Sequence, residues 1–441
     1  MSIDENLIKL SAFDAAARIA KGELSSFDLV QACLDRIAER DPQVGAWEHI
    51  ASREALQQAR AADCPSARGC LHGVPVAIKD IIDTVDMPTR YGSPIYAKHQ
   101  PGSDAACVAL LRAAGAIVLG KTVTTEFAYF EPGRTRNPHN LDCTPGGSSM
   151  GSAAAVADGM APIALGTQTA GSVIRPAAFC GVIGYKATYN ALSLAGVKPF
   201  SPSLDTLGIF GRSIADIRLV SRALLGSHAT EPAPERIRIT VCKTAHWSSA
   251  DAATKIAIAR AGKQLQDAGA SVVEREWPAP FDDLHDAQQT IMAYEAARSF
   301  AYERLTFAHQ LSPKLQELCT TGLQCPFEQY AAAQRLAQQC RRLLPELFAD
   351  VDAILCPSTP GEAPVGRATG NPVFNRPWTL LHVPAVTVPA FTGPRGLPIG
   401  IQLVADRYQD ARLLGTAEWV YGNCGGSVTA AECIEERTTS S

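Results

Sequence analysis

The sequence predicts an α/β fold, with a large, mostly parallel mixed central sheet covered by helices on both faces. Helical runs alternate with short aliphatic runs: SDAACVALLRAA leads through Gly115 into AIVLGK, and ATKIAIARAGKQLQDA leads through Gly269 into SVVERE. The chain has 441 residues, 46% hydrophobic and 19% charged, which is enough apolar material to cover such a sheet on both sides. Length alone allows two or three average domains, but large α/β folds run this long as one, and a single domain over residues 1–424 is expected.

Residues 1–65 read as helices packed on the core. Ser11 is placed to cap AFDAAARIAKG, and Ser26 to cap FDLVQACLDRIAERD, in which Leu29, Val30, Cys33 and Ile37 share one face and Pro42 ends the run. GVPVAIKDII, starting at Gly73, reads as a buried strand carrying Lys79. A lysine inside so aliphatic a run is unusual; its ordinary explanation is a strand-end residue whose amine reaches solvent.

Residues 144–186, TPGGSSMGSAAAVADGMAPIALGTQTAGSVIRPAAFCGVIGYK, combine backbone freedom and hydroxyls as no other stretch of the chain does. They read as a Gly/Ser turn, an Ala-rich helix stopped by Gly159, an apolar strand at 161–165, a small-residue loop GTQTAGS, and a second helix opening at Val173. Each loop aims the unpaired N–H groups of a helix start back at itself, as oxyanion-binding loops do. A helical section follows at 281–350, containing HDAQQTIMAYEAARSFAYERL and EQYAAAQRLAQQCRRLLPELF, and is expected to wall the substrate cavity. Strands return at VDAILCPSTP, VPAVTVPAF and LPIGIQLVAD, the helix ARLLGTAEWVYG closes the packed part, and residues 425–441 are expected to be a disordered tail.

A net charge of −4 without a basic block argues against a nucleic-acid or anionic-membrane surface, leaving a small molecule as the expected partner. The N-terminus has acidic residues and no long apolar run, so a cytoplasmic protein is expected. Thirteen cysteines, an odd number without CxxC pairs, argue against a disulfide framework or a zinc site.

Two motifs mislead. GAIVLGKT at 115–122 satisfies the P-loop pattern, but its variable residues form a strand after a helix, the reverse of the order phosphate binding needs. GSSMG at 147–151 fits a nucleophile elbow with Ser149, and Asp352 and His382 could complete a triad, but polar HNLDCTPG precedes it where a strand is required.

The 144–186 stretch resembles the amidase signature family, whose pattern GGSSxGSxAAVAxG…GTxTxGSxxxPA runs through it almost unbroken, with GVPVAIKD as that family's upstream lysine segment. The resemblance implies the amidase signature fold and a Ser-cisSer-Lys unit. Ser172 is then the nucleophile, Ser148 the bridging serine in a non-proline cis peptide 24 positions earlier (172 − 148), and Lys79 the base. No metal or cofactor is implied. The backbone N–H groups of Thr169, Ala170, Gly171 and Ser172 are the expected oxyanion hole, and Arg175 and Glu126 the candidate substrate-binding residues. A lysine ordinarily titrates near ~10.4, so Lys79 needs burial to act near neutral pH.

The chain departs from the commonest family form at Gln168, where Asp is usual, and at Ala170, where Gly is usual. Arg175 lies three residues after the nucleophile, an arrangement that resembles malonamidases, in which this arginine holds a substrate carboxylate. The implied activity is hydrolysis of small linear amides through an acyl-enzyme on Ser172, favouring anionic substrates, with a homodimer plausible. The alternatives are the glutaminase subunit of a tRNA amidotransferase and, more weakly, an elbow-type esterase using Ser149.

Overall fold

Neighbouring residues of single strands fall into separate cores: Val76 and Ile78 belong to one and Ala77 to the other, and Ile163 and Leu165 are divided from Ala164 in the same way. Side chains alternate across a strand, so both faces of the sheet are buried, which is why these segments read as continuous apolar runs. The computed structural model describes residues 5–64, 69–226 and 231–424, and the expected tail at 425–441 lies outside them.

The strands are β1 (Trp47–Ile50), β2 (Pro75–Lys79), β3 (Ile117–Thr122), β4 (Ile163–Gln168), β5 (Ile183–Lys186), β6 (Thr206–Gly211), β7 (Arg238–Lys243), β8 (Ser271–Glu276), β9 (Ala353–Pro357), β10 (Ala385–Thr392) and β11 (Pro398–Val404). They form one mixed sheet in the order β1-β3-β2-β4-β6-β5-β10-β11-β9-β7-β8. Parallel pairing occurs in two blocks, β3-β2-β4 and β9-β7-β8, each containing one of the helix-then-strand repeats read from the sequence. The pairs joining these blocks are antiparallel, as is β1 on β3, so parallel character is local to the blocks rather than general to the sheet.

At the N-terminal helices Ser11 caps as expected, accepting from Asp14 N. The next cap is one residue earlier than expected. Ser25 has the extended backbone and accepts from Asp28 N, while Ser26 sits in the first turn and donates to Gly73 O at 2.8 Å. The Asp63 carboxylate decides the register, accepting from Ser25 Oγ, Ser26 N and Phe27 N where an anion suits the positive helix end. Pro42 does not end this helix, which runs to Val44; the stop is Gly45, left-handed at φ 66°. No helix among the described residues is long and apolar enough to cross a membrane.

Candidate active site

β2 and β4 run parallel, with Ile78 opposite Leu165, and so deliver their carboxyl ends to one edge of the sheet. Ligand crevices of α/β sheets open there. From β2 comes Lys79; from β4 come Thr167, Gln168 and the loop into the helix Ile174–Cys180. The turn before the helix Met150–Ala157 lies against them and contains a cis peptide between Gly147 and Ser148. Gly146 stands at φ 80°, where a Cβ would lie 2.8 Å from Pro176 Cα, so only glycine lets the turn approach so closely.

Lys79 is fully buried, and its Nζ donates to Ser148 Oγ at 2.7 Å and to Thr167 Oγ1 at 2.9 Å. Burial holds its pKa well below the ordinary lysine range, against the opposing charge of Asp205. Ser172 is 6% exposed and lines a small cavity beside Phe130, Arg175 and Met292. Ser149 N donates to Ser172 O at 3.4 Å, coupling the two loops. No hydrogen bond joins Ser148 Oγ to Ser172 Oγ among the described residues; catalytic contacts of this kind commonly tighten once substrate binds.

The 169–172 loop is held from behind by its carbonyls and side chains. Gln288 Nε2 donates to Thr169 O at 3.0 Å, Thr379 Oγ1 donates to Ala170 O at 2.8 Å, and Thr169 Oγ1 donates to Asp205 at 2.5 Å. Gln168 Oε1 accepts from Val173 N and Ile174 N and so caps the next helix. Asp205 also accepts from Phe200 N and Ser201 N, and burial raises it to about 6. The N–H groups of Thr169, Ala170, Gly171 and Ser172 meet no protein acceptor among the described residues. Gly171 is required, since a Cβ there would lie 2.4 Å from Asn375 Oδ1.

Arg175 is 2% exposed. Its Nη2 donates to Gly147 O at 2.6 Å, while Nε and Nη1 are buried without a partner and its guanidinium carbon lies 5.5 Å from the centroid of Phe130. Burial and the charge of Arg376 bring its pKa down to about 9. Glu126 is placed elsewhere: both its carboxylate oxygens accept from Ser312 N at 3.2 Å, at the start of the helix Pro313–Gln324, and it does not line the cavity. The helical section 281–350 contributes Gln288 and Met292 from the helix Leu284–Ser299.

Ser149 is fully buried, exchanging hydrogen bonds with Thr167 N and O. His382 is engaged by Ser203 O and Arg341, and Asp352 pairs with Arg238 and Arg412, so neither serves Ser149 as an elbow triad would require. Lys121 of the P-loop-like motif lies in β3 and donates to Ile82 O and Thr89 Oγ1. Sequence reasoning missed Thr167, Asp205, Gln288 and Arg376. Arg376, in the apolar FNRPWTLL, is the one with a visible signal, since an arginine in such a run needs a partner.

A family model described as Amidase matches residues 28–414. The chain is 34% identical to a glutamyl-tRNA(Gln) amidotransferase subunit of Roseiflexus castenholzii (strain DSM 13941 / HLO8), over 92% of this chain and 94% of that one. Among solved structures it is similar to one described as an amidase (TM-score 0.89, 28% identity, 94% of this chain and 100% of that chain). It is also similar to the native peptide amidase of Stenotrophomonas maltophilia (TM-score 0.81, 30% identity, 94% and 97%). The expectation of a chain unconnected with nucleic acid is corrected by the first of these relatives, which by its name belongs to an enzyme of tRNA metabolism. Net charge bears on what this chain's own surface attracts; it does not exclude tRNA chemistry carried out by an assembly of several subunits.

Proposed function

The chain belongs to the amidase family, an enzyme family acting on the C–N bond of amides, and from that premise we propose that it is a serine amidohydrolase of small carboxylate-bearing amides with Ser172 as nucleophile. The observation that carries this reading is the buried Lys79 amine donating to Ser148 Oγ at 2.7 Å, beside the loop that bears Ser172. A serine hydroxyl is a weak nucleophile until a base takes its proton. Neutral Lys79 accepts that proton by way of Ser148 as Ser172 Oγ attacks the amide carbonyl. The N–H groups of residues 169–172 receive the developing oxyanion, an arrangement that contributes ~3–4 kcal/mol per donor in comparable sites. The proton returns through Ser148 to the departing nitrogen, releasing ammonia or an amine, and water then hydrolyses the acyl-enzyme. The unpartnered Nε and Nη1 of Arg175, on a cavity-lining side chain, suit a substrate carboxylate.

A second reading is favoured by the relative from R. castenholzii: the chain is the glutaminase subunit of a tRNA amidotransferase, releasing ammonia for use elsewhere in the assembly. Both readings share the acyl-enzyme and differ in the amide. Ammonia release from malonamate, glutamine, malonamide and simple neutral amides separates them. Malonamate as the good substrate supports the first, glutamine as the sole good substrate supports the second, and no ammonia from any amide overturns both.

A further inference from the structure

A second buried cation lies behind the cavity-lining Phe130 ring, outside the residues that line the cavity themselves. Arg376, in the short helix Arg376–Leu380, is 6% exposed, and its guanidinium carbon lies 6.0 Å from the centroid of the same Phe130 ring that Arg175 faces. Its one side-chain hydrogen bond among the described residues runs from Nη1 to Gln288 Oε1, and Gln288 in turn holds the Thr169 carbonyl of the 169–172 loop. Its Nε and Nη2 meet no described acceptor.

Neither arginine forms an ion pair with a described acid. Asp205, the acid that contacts the loop through Thr169, is also engaged by Phe200 N and Ser201 N. Two buried like charges raise each other's energy, and both also lose hydration. Burial brings Arg376 to about 10 and Arg175 to about 9, so both remain cations at neutral pH. Among the described residues no carboxylate pairs with either arginine, which leaves both open to an anion from the substrate.

Building on the amidohydrolase reading above, we propose that Arg376 is a second specificity-determining residue, which with Arg175 selects short amides ending in a carboxylate and lacking an amino group, such as monoamides of short dicarboxylic acids. One guanidinium with free N–H groups would accept any carboxylate, including that of an α-amino acid. Two, with no free carboxylate beside them, also repel an α-ammonium, and this excludes glutamine. The small cavity limits the acyl chain to a few atoms.

The test has a binding arm and a kinetic arm. Calorimetric titration of Ser172→Ala protein with malonate, malonamide and glutamine should show malonate at least ~10-fold tighter than either of the others, with malonate binding weakened ~10- to 100-fold by Arg376→Gln and less by Arg376→Lys. In otherwise wild-type enzyme, Arg376→Gln should lower the ratio of kcat/KM on malonamate to kcat/KM on malonamide by a similar factor, mainly through KM. If Arg376→Gln fails to fold, the contrast between the three ligands and the Arg376→Lys protein still decide. Malonate binding no tighter than malonamide, or glutamine binding as well as malonate, would overturn the proposal, as would equal losses on charged and neutral ligands. Equal turnover of malonamate and malonamide would sink this inference and the carboxylate preference it deepens, while leaving the Ser172 amidohydrolase chemistry standing. Failure to hydrolyse any amide would sink that reading, with the binding arm still deciding this one.

Discussion

At the scale of residues, the proposed mechanism turns on a lysine whose burial disfavours its charged form. Because burial lowers the pKa of Lys79, activity should rise along an ascending limb lying below the ordinary lysine range, and Lys79→Arg should not restore it, since guanidinium stays protonated. A Lys79→Arg enzyme with near wild-type turnover would show that the residue supplies charge only. Ser148→Ala and Lys79→Ala should each lower kcat by ~10³-fold or more, and the double mutant should be little worse than either, because members of one proton-transfer unit are not additive. Stability provides an independent readout. Between the lowered folded pKa and the unfolded value the unfolded chain binds the extra proton, so stability rises with pH across that window as the cost of burying the amine disappears. Lys79→Met should therefore be more stable than wild type, with the difference largest at low pH and shrinking towards the ordinary lysine range. Urea melts across that window check this, and a difference independent of pH would contradict it.

At the scale of elements, the helical section that supplies Gln288 and Met292 is pinned by one glycine. An alanine in place of a mid-helix glycine usually stabilises by ~0.5–1 kcal/mol. At Gly322 a Cβ would lie 1.9 Å from Ala293 O, so Gly322→Ala must push the helices Leu284–Ser299 and Pro313–Gln324 apart. The expected result is a loss of ~1–3 kcal/mol in urea unfolding at unchanged slope, with a raised KM because Met292 moves away from the cavity. A stabilised variant with unaltered KM would show that the wall tolerates the shift. Element by element, the sequence was legible where periodicity and turn chemistry agree. The helix Ala252–Asp267, the strand Ser271–Glu276 and the three late strands lie where their patterns put them. β1, β5 and β6 were not read, because they are short or glycine-bearing and their pairing depends on partners far away in the chain; β7 was not read although it is neither short nor glycine-bearing. The Ser25 cap was missed by one position because Asp63, 37 residues from Ser26, sets it. In the site, Lys79, Ser148 and Ser172 were legible from motif spacing, whereas Thr167, Gln288 and Arg376 reach it only through the folded sheet edge and the packed helices.

At the scale of the whole molecule, one sheet edge gathers residues from β2, β4, the 144–149 turn and the helices around Gln288 and Arg376 into the one candidate site for which oxyanion and carboxylate binding are proposed. The net charge of −4 is summed over the whole chain and says nothing of how charge is placed, such as two buried arginines without an ion-pair partner among the described residues. For the same reason charge could not separate a self-sufficient amidase from one component of a larger enzyme; the amide hydrolysed is what distinguishes them. The central claim is that Ser172, activated from Lys79 through Ser148, carries the acyl group. The most direct measurement is acid-quench trapping with a slowly deacylating carboxylate-bearing ester, followed by intact-mass analysis and peptide mapping. The predicted result is one acyl adduct on the peptide containing Ser172, absent from Ser172→Ala, formed at least ~10³-fold more slowly in Lys79→Ala, and unaffected in site by Ser149→Ala. An adduct on Ser149, or one that forms at the wild-type rate without Lys79, would contradict it.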